Sequence, residues 1–170
     1  RRWLSAGDIT LTTGPVGYGN AAGSTAIEAI SNGGDISITT NGVIGASNLT
    51  NLNARADHDG ISAQTSGAGA VTLDLNGAFS AVYGYGFGGA AVRVVNGTGD
   101  VSIDTISDLR GGNFSSSTNA QLGSGLVIDS GGDITVASTG LIIRAINQTG
   151  ARAPAIVASG ETFTLSFSSN

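Results

Sequence analysis

Four stretches of the chain hold residue types that can do chemistry. Asp129, Ser130, Gly131, Gly132 and Asp133 read "DSGGD", the company a nucleophilic serine keeps in many hydrolases. Such a serine needs a base within hydrogen-bond reach and donors aimed at a developing oxyanion. Arg55 to Gly60 read "RADHDG", where Asp57 and Asp59 flank His58. Two carboxylates beside an imidazole can hold a divalent cation or move a proton. Asp8, Asp35, Asp100 and Asp133 each follow a glycine and precede an alternating apolar segment, and a column of carboxylates is a candidate for calcium. "VYGYGFGG" from Val82 spaces Tyr83, Tyr85 and Phe87 between glycines, which can offer flat faces to a sugar ring or a partner protein.

The elements that position these residues must come from an unusual composition. The chain has 170 residues, 40% of them hydrophobic, with 28 glycines, 5% aromatics and no Met. That is enough for one domain spanning residues 1–170 with a sizeable core, built from small residues in narrow, regular packing. Charged residues make up 11%, every basic one is Arg, and the net charge is −5. No cationic surface is left for phosphates, so nucleic acid is not an expected partner. Zero Cys excludes a disulfide framework and thiolate chemistry, and suits a chain exported in extended form. No apolar run approaches the roughly 18 residues of a membrane helix, so this segment is not expected to insert in a membrane. With neither a signal peptide nor an initiating Met, it reads as a fragment of something longer.

Internal repetition then dominates the reading. "GDITLTT" begins at Gly7, "GDISITT" at Gly34, "GDVSIDT" at Gly99 and "GDITVAS" at Gly132, with "GAVTLDL" at Gly69 and "GETFTLS" at Gly160 as weaker members. Counted from residues 8, 35, 70, 100, 133 and 161, the intervals are 27, 35, 30, 33 and 28. A constant segment joined by elastic loops is expected when each copy is one turn of a solenoid. Within the copies the alternation has period two: Ile9 and Leu11, Ile36 and Ile38, Val71 and Leu73, Val101 and Ile103, Ile134 and Val136, Phe163 and Leu165. Each copy is therefore a strand with one buried face.

Most copies continue into a Gly-led apolar segment at Gly14, Gly42, Gly77 and Gly140, whereas the fourth departs with "ISDLRGG" from Ile106. A third segment closes each unit, with inward pairs Ile27 and Ala29, Ile61 and Ala63, Val92 and Val94, Leu126 and Ile128, and Ile156 and Ala158. Three short strands per turn cannot pair inside their own turn, so each pairs with its counterpart one turn on. We therefore expect an all-β fold, a right-handed parallel β-helix of about five to six turns. Helical repeats fail on the apolar spacing and on the abundance of Gly and Thr. An antiparallel sandwich shares short, regularly spaced strands and is the remaining alternative.

On that frame most of the chemistry becomes architecture. "DSGGD" aligns with "SNGGD" at Ser31 and "NGTGD" at Asn96, which makes Ser130 a bend residue equivalent to Asn32 and to Thr98 or a neighbouring Gly, with glycine supplying positive φ. The only His is His58, far from it in sequence, so no base is at hand. Asp8, Asp35, Asp100 and Asp133 are read as structural turn residues, and no metal or other cofactor is expected. "RADHDG" reads as a solvated loop. Arg93, between Val92 and Val94, is expected to face solvent, while the face taken by Arg144 depends on register. Tyr83, Tyr85 and Phe87 are the best candidate contact surface, unless their loop folds onto its own turn. No catalytic residue is assigned.

"GDITLTT", "GDISITTNGVIGA", "GDVSIDT" and "GDITVAS", followed by "HDGISAQTSGAG" and "GSGLVIDSGGD", resemble the passenger repeats of bacterial autotransporters of the type V secretion system. The resemblance covers nearly the whole chain. It implies export through the outer membrane of a Gram-negative bacterium, display at the cell surface or release, and an outer-membrane barrel elsewhere in the parent chain. It implies a structural stalk or an adhesin for a host-cell surface protein or glycan, not an enzyme. The rival class is a polysaccharide-degrading β-helix of the pectate lyase or polygalacturonase kind, which sets acids and bases on one outer sheet. Here Lys is absent and the outward Asp74, Asp104 and Asp129 fall on different strands. A pure spacer carrying another module is the third expectation.

Overall fold

The computed structural model describes residues 1–17, 25–45, 59–77, 81–84, 89–112, 123–139, 143–146 and 154–168. Its strands are β1 (Arg2–Ser5), β2 (Ile9–Thr13), β3 (Ile27–Ser31), β4 (Ile36–Thr40), β5 (Ile61–Thr65), β6 (Val71–Leu75), β7 (Ala81–Gly84) and β8 (Ala90–Asn96). They continue as β9 (Val101–Thr105), β10 (Asp108–Gly112), β11 (Ser124–Asp129), β12 (Ile134–Thr139), β13 (Ile143–Ile146), β14 (Ile156–Ser159) and β15 (Phe163–Ser168). There is no helix among the described residues. The strands form three parallel sheets: a first in the order β1-β3-β5-β8-β11-β14, a second in the order β2-β4-β6-β9-β12-β15, and a third in the order β7-β10-β13. The chain visits the sheets in rotation and is a β-solenoid.

Register shows why the alternation forces this arrangement. Ile9, Ile36, Val71, Val101, Ile134 and Phe163 are successive partners along the second sheet. The middle four are at most 1% exposed. Leu11, Ile38, Leu73, Ile103, Val136 and Leu165 form the next inward file. Opposite them the first sheet stacks Trp3, Ala29, Ala63, Val94, Ile128 and Ala158. A fully buried Ile, Leu or Val side chain contributes about 1.5–3 kcal/mol, and the stacking of such residues in files builds this narrow core mainly from aliphatic side chains.

Three details differ from the sequence reading. The expected five to six turns is slightly high, since the solenoid amounts to about 4. Among the described residues the third side begins with two isolated bridges, Val16 to Ile44 and Ile44 to Val82, in place of paired strands. The departing segment after Ile106, meanwhile, builds a regular strand there, β10. Pro15 and Gly17 leave Val16 little room to extend pairing, and Gly45 turns away at φ 85. The third detail concerns the glycines that lead the repeats. Among the described glycines only Gly33 and Gly45 have positive φ. Gly69, Gly99 and Gly132 are needed for close approach, because a Cβ on each would lie 2.2 Å from Gly34 O, 2.2 Å from Gly69 O and 2.5 Å from Gly99 O respectively.

Candidate functional site

The corner between the first and second sheets gathers Ser130 and the aspartate file. Register pairs Asp129 with Val95, which brings Ser130 level with Asn96 and not with the residue after it. Its equivalents are thus Ser31, Thr65 and Asn96, and the corner from Ser130 to Asp133 is one residue shorter than the corner from Ser31 to Asp35. The equivalence with Asn32 expected from aligning the aspartates is corrected accordingly, because strand pairing and not the bend sets the level.

Ser130 is 6% exposed. Its Oγ donates to Gly99 O at 2.9 Å and accepts from the Gly132 N–H at 3.1 Å. Ser31 does the same three rungs earlier, donating to Gly7 O at 2.8 Å and accepting from the Gly34 N–H at 2.9 Å. Thr65 donates to Gly34 O at 3.2 Å, and Asn96 Nδ2 to Gly99 O at 2.6 Å. Both lone pair and proton of Ser130 are engaged with backbone, so the hydroxyl satisfies buried corner groups. No imidazole or carboxylate is among its hydrogen-bond partners.

The aspartates act between turns. The Asp35 N–H donates to Asp8 Oδ1 at 2.9 Å, the Ala70 N–H to Asp35 Oδ1 at 2.9 Å, and the Asp133 N–H to Asp100 Oδ1 at 3.1 Å. Asp133 Oδ1 accepts the Thr162 hydroxyl at 2.7 Å. Each carboxylate thus takes up a backbone donor or hydroxyl of the following rung, which offsets the repulsion between like charges in the file. Ala70 occupies the file where a carboxylate would stand. No group of three or more His, Cys, Asp or Glu that could hold a metal is present among the described residues.

Two clamps hold the other corners. Asp59 accepts the Ala90 N–H at 2.8 Å, Arg93 Nε at 2.8 Å and Arg93 Nη2 at 3.3 Å. Arg93 does point outward but is half-buried against this carboxylate. Asp57 and His58 lie outside the described residues. On the third sheet Arg110 pairs with Asp108 and reaches Tyr83 Oη at 3.4 Å, its guanidinium 5.7 Å from the centre of the Tyr83 ring. The hydrogen bond to Asp108 raises the Arg110 pKa above its usual value, against the opposing effect of burial. Tyr83 is 8% exposed, so it offers no open face: the ring is taken up by the cation above it. Tyr85 and Phe87 lie outside the described residues. Register places Arg144 beside Arg110.

Two surfaces escaped the sequence reading. Leu4, Ile30, Gln64 and Val95 share an outward file of the first sheet and floor a groove of about 590 Å³. Leu4 is 65% and Val95 41% exposed, and Ser66 Oγ donates to Asn32 Oδ1 at 2.9 Å on its rim. No charged side chain lines it, so it suits neutral contacts. On the second sheet Thr10, Ser37, Thr72, Ser102, Thr135 and Thr164 make one outward hydroxyl file. The file beside it sets Asp74 against Asp104 as direct partners. Of the three outward carboxylates expected on different strands, Asp74 and Asp104 are thus neighbours on adjacent strands of one sheet, while Asp129 stands apart at the end of β11 in the first sheet. The signal was available in the one-residue offset each keeps from its inward Leu73 or Ile103.

No protein-family model, no curated protein and no solved structure matches the chain. The geometry therefore stands by itself. It offers corners stitched by backbone-directed side chains, one neutral groove and one polar face, and it sets no acid, base and nucleophile together among the described residues.

Proposed function

We propose that this chain is part of the passenger of a bacterial autotransporter, carried to the outside of a Gram-negative cell and serving there as a stalk or adhesin without catalysis of its own. What supports the reading is the pairing of rungs constant in their first two sheets with joining segments of unequal length. Rungs stack by repeated, mostly uncharged register contacts, and the joining segments vary without disturbing them. Such a body extends by adding turns and can carry contact surfaces away from a membrane. A host-cell surface protein or glycan is the expected partner, and the membrane barrel belongs to another part of the parent chain. Antibody raised against the folded segment should label intact cells of the source bacterium. Labelling that requires permeabilising the outer membrane would overturn the reading. Binding of the purified chain to host cells or glycan arrays separates adhesin from stalk.

A second reading is favoured by one observation, the partnership of Asp74 with Asp104 on an outer sheet. Paired carboxylates are the minimum for cleaving a glycosidic bond. In that case the chain should release reducing or unsaturated ends from polygalacturonate, and Asp104→Asn should abolish the release. A chain inert on polysaccharides leaves the passenger reading in place.

A further inference from the structure

The sequence contains four Asn–Gly steps, at Asn32, Asn41, Asn76 and Asn96. Asn–Gly is the step at which a side-chain amide and the next backbone nitrogen meet with least obstruction, since glycine has no Cβ in the way. The fold treats the four differently. Asn96 is 7% exposed, its Nδ2 is spent on Gly99 O at 2.6 Å, and the Gly97 N–H donates to Thr65 O at 2.9 Å. Asn32 is exposed, but its Oδ1 is held by Ser66 at 2.9 Å, and Gly33 sits at φ 102. Asn76 is exposed, and the Gly77 that follows is buried and accepts the Ser107 hydroxyl at 3.0 Å.

Asn41 is the unguarded member. It is exposed, and among the described residues neither its side-chain amide nor the Gly42 N–H makes a hydrogen bond; only its own N–H is tied, to Thr13 O at 2.8 Å. It stands where β4 leaves the second sheet for the third side, which among the described residues is paired at this rung through the bridges of Ile44. A corner held by so few bonds opens at low cost.

We infer that Asn41 is a site of spontaneous covalent modification, deamidation through a cyclic imide. The Gly42 nitrogen, its proton removed by base, attacks Asn41 Cγ and forms a C–N bond. The side-chain nitrogen leaves as ammonia, taking up a proton. Water then opens the five-membered ring by breaking either of its two C–N bonds at a carbonyl carbon, giving aspartate or isoaspartate at position 41. Either product adds a negative charge beside a face that already carries Asp74 and Asp104. Isoaspartate also inserts a methylene into the main chain, which displaces the Val16 to Ile44 bridge from its register. Gly42 cannot be exchanged to prevent this, because a Cβ there would lie 2.7 Å from the Pro15 ring.

Peptide mapping by mass spectrometry, with isoaspartyl methyltransferase labelling, tests this on the whole chain held in warm, mildly alkaline buffer. Asn41 should convert first and at least about tenfold faster than Asn96, with Asn32 and Asn76 between them. In concentrated urea the four should converge, because the unfolded steps share one chemistry. The Asn41→Gln chain should keep its fold by circular dichroism and lose the early label. Conversion of Asn41 no faster than Asn96 in the folded chain, or an unchanged ranking in urea, would overturn the assignment.

Discussion

At the corner from the first sheet to the second, most rungs are stitched to a neighbour by short side chains, the step from Ala70 to the Asn96 rung excepted: Ser31, Thr65 and Ser130 reach the preceding turn's leading glycine, while Asp8, Asp35 and Asp100 accept the following turn's N–H. At the corner that enters the first sheet from the third, one long-range clamp, Asp59 with Arg93 and the Ala90 N–H, does comparable work for a rung preceded by a long joining segment. The first corner is three or four residues across in most turns, too short to satisfy its own buried polar groups, so it borrows partners from the next turn. The second has chain to spare, and among the described residues the Asp59 clamp is its long-range side-chain anchor. Short corners therefore carry the regularity, and long ones carry the variation.

The largest expected effect breaks the short corner. Gly99→Ala places a Cβ 2.2 Å from Gly69 O, and backbone cannot yield as a side-chain tip can. We expect a loss of about 3 kcal/mol in urea unfolding, or failure to fold. Asp59→Ala attacks the long corner by leaving Arg93 half-buried without its carboxylate. A loss of about 1.5 kcal/mol is expected, reduced by the partial exposure of the pair, and thermal unfolding should show it. A change equal to that of Gly99→Ala would show the corners to be held alike. Ser130→Ala leaves the Gly132 N–H without its acceptor and should cost about 1 kcal/mol by the same measurement. Were Ser130 a nucleophile, it would instead be labelled by a fluorophosphonate, which we expect not to react.

The smallest effect sharpens the comparison. Ala70→Asp fills the gap in the aspartate file and supplies an acceptor facing the Asp100 rung. The new bond should outweigh repulsion from Asp35 and Asp100, giving a gain of about 0.5 kcal/mol that grows with added salt as the repulsion is screened. A loss at high salt would mean that the file is held by local geometry and not by its bonds to the next turn.

Much of this architecture is legible in the sequence for a simple reason. A strand that buries one face must alternate, so Ile9 and Leu11 or Val101 and Ile103 announce themselves within five residues. The candidate surfaces are less legible. Tyr83 is buried because Arg110, 27 residues later, lies over it. Arg93 is engaged because Asp59 stands 34 residues earlier. Asp74 and Asp104 become neighbours only when one rung is laid on the next. Even the need for the leading glycines has a non-local cause, since the atoms that exclude a Cβ belong to the previous turn.

Residues alone determined that the chain is all-β, that its strands bury one face, and that like segments stack on like. These properties follow from alternation and repetition, which act over a few neighbours. The tertiary structure decided the level at which Ser130 sits, which third-side segments extend into strands, and which charges meet. Those outcomes depend on register across corners of unequal length. Register is set where whole rungs pack together, because a slip of one residue would turn every buried side chain toward solvent.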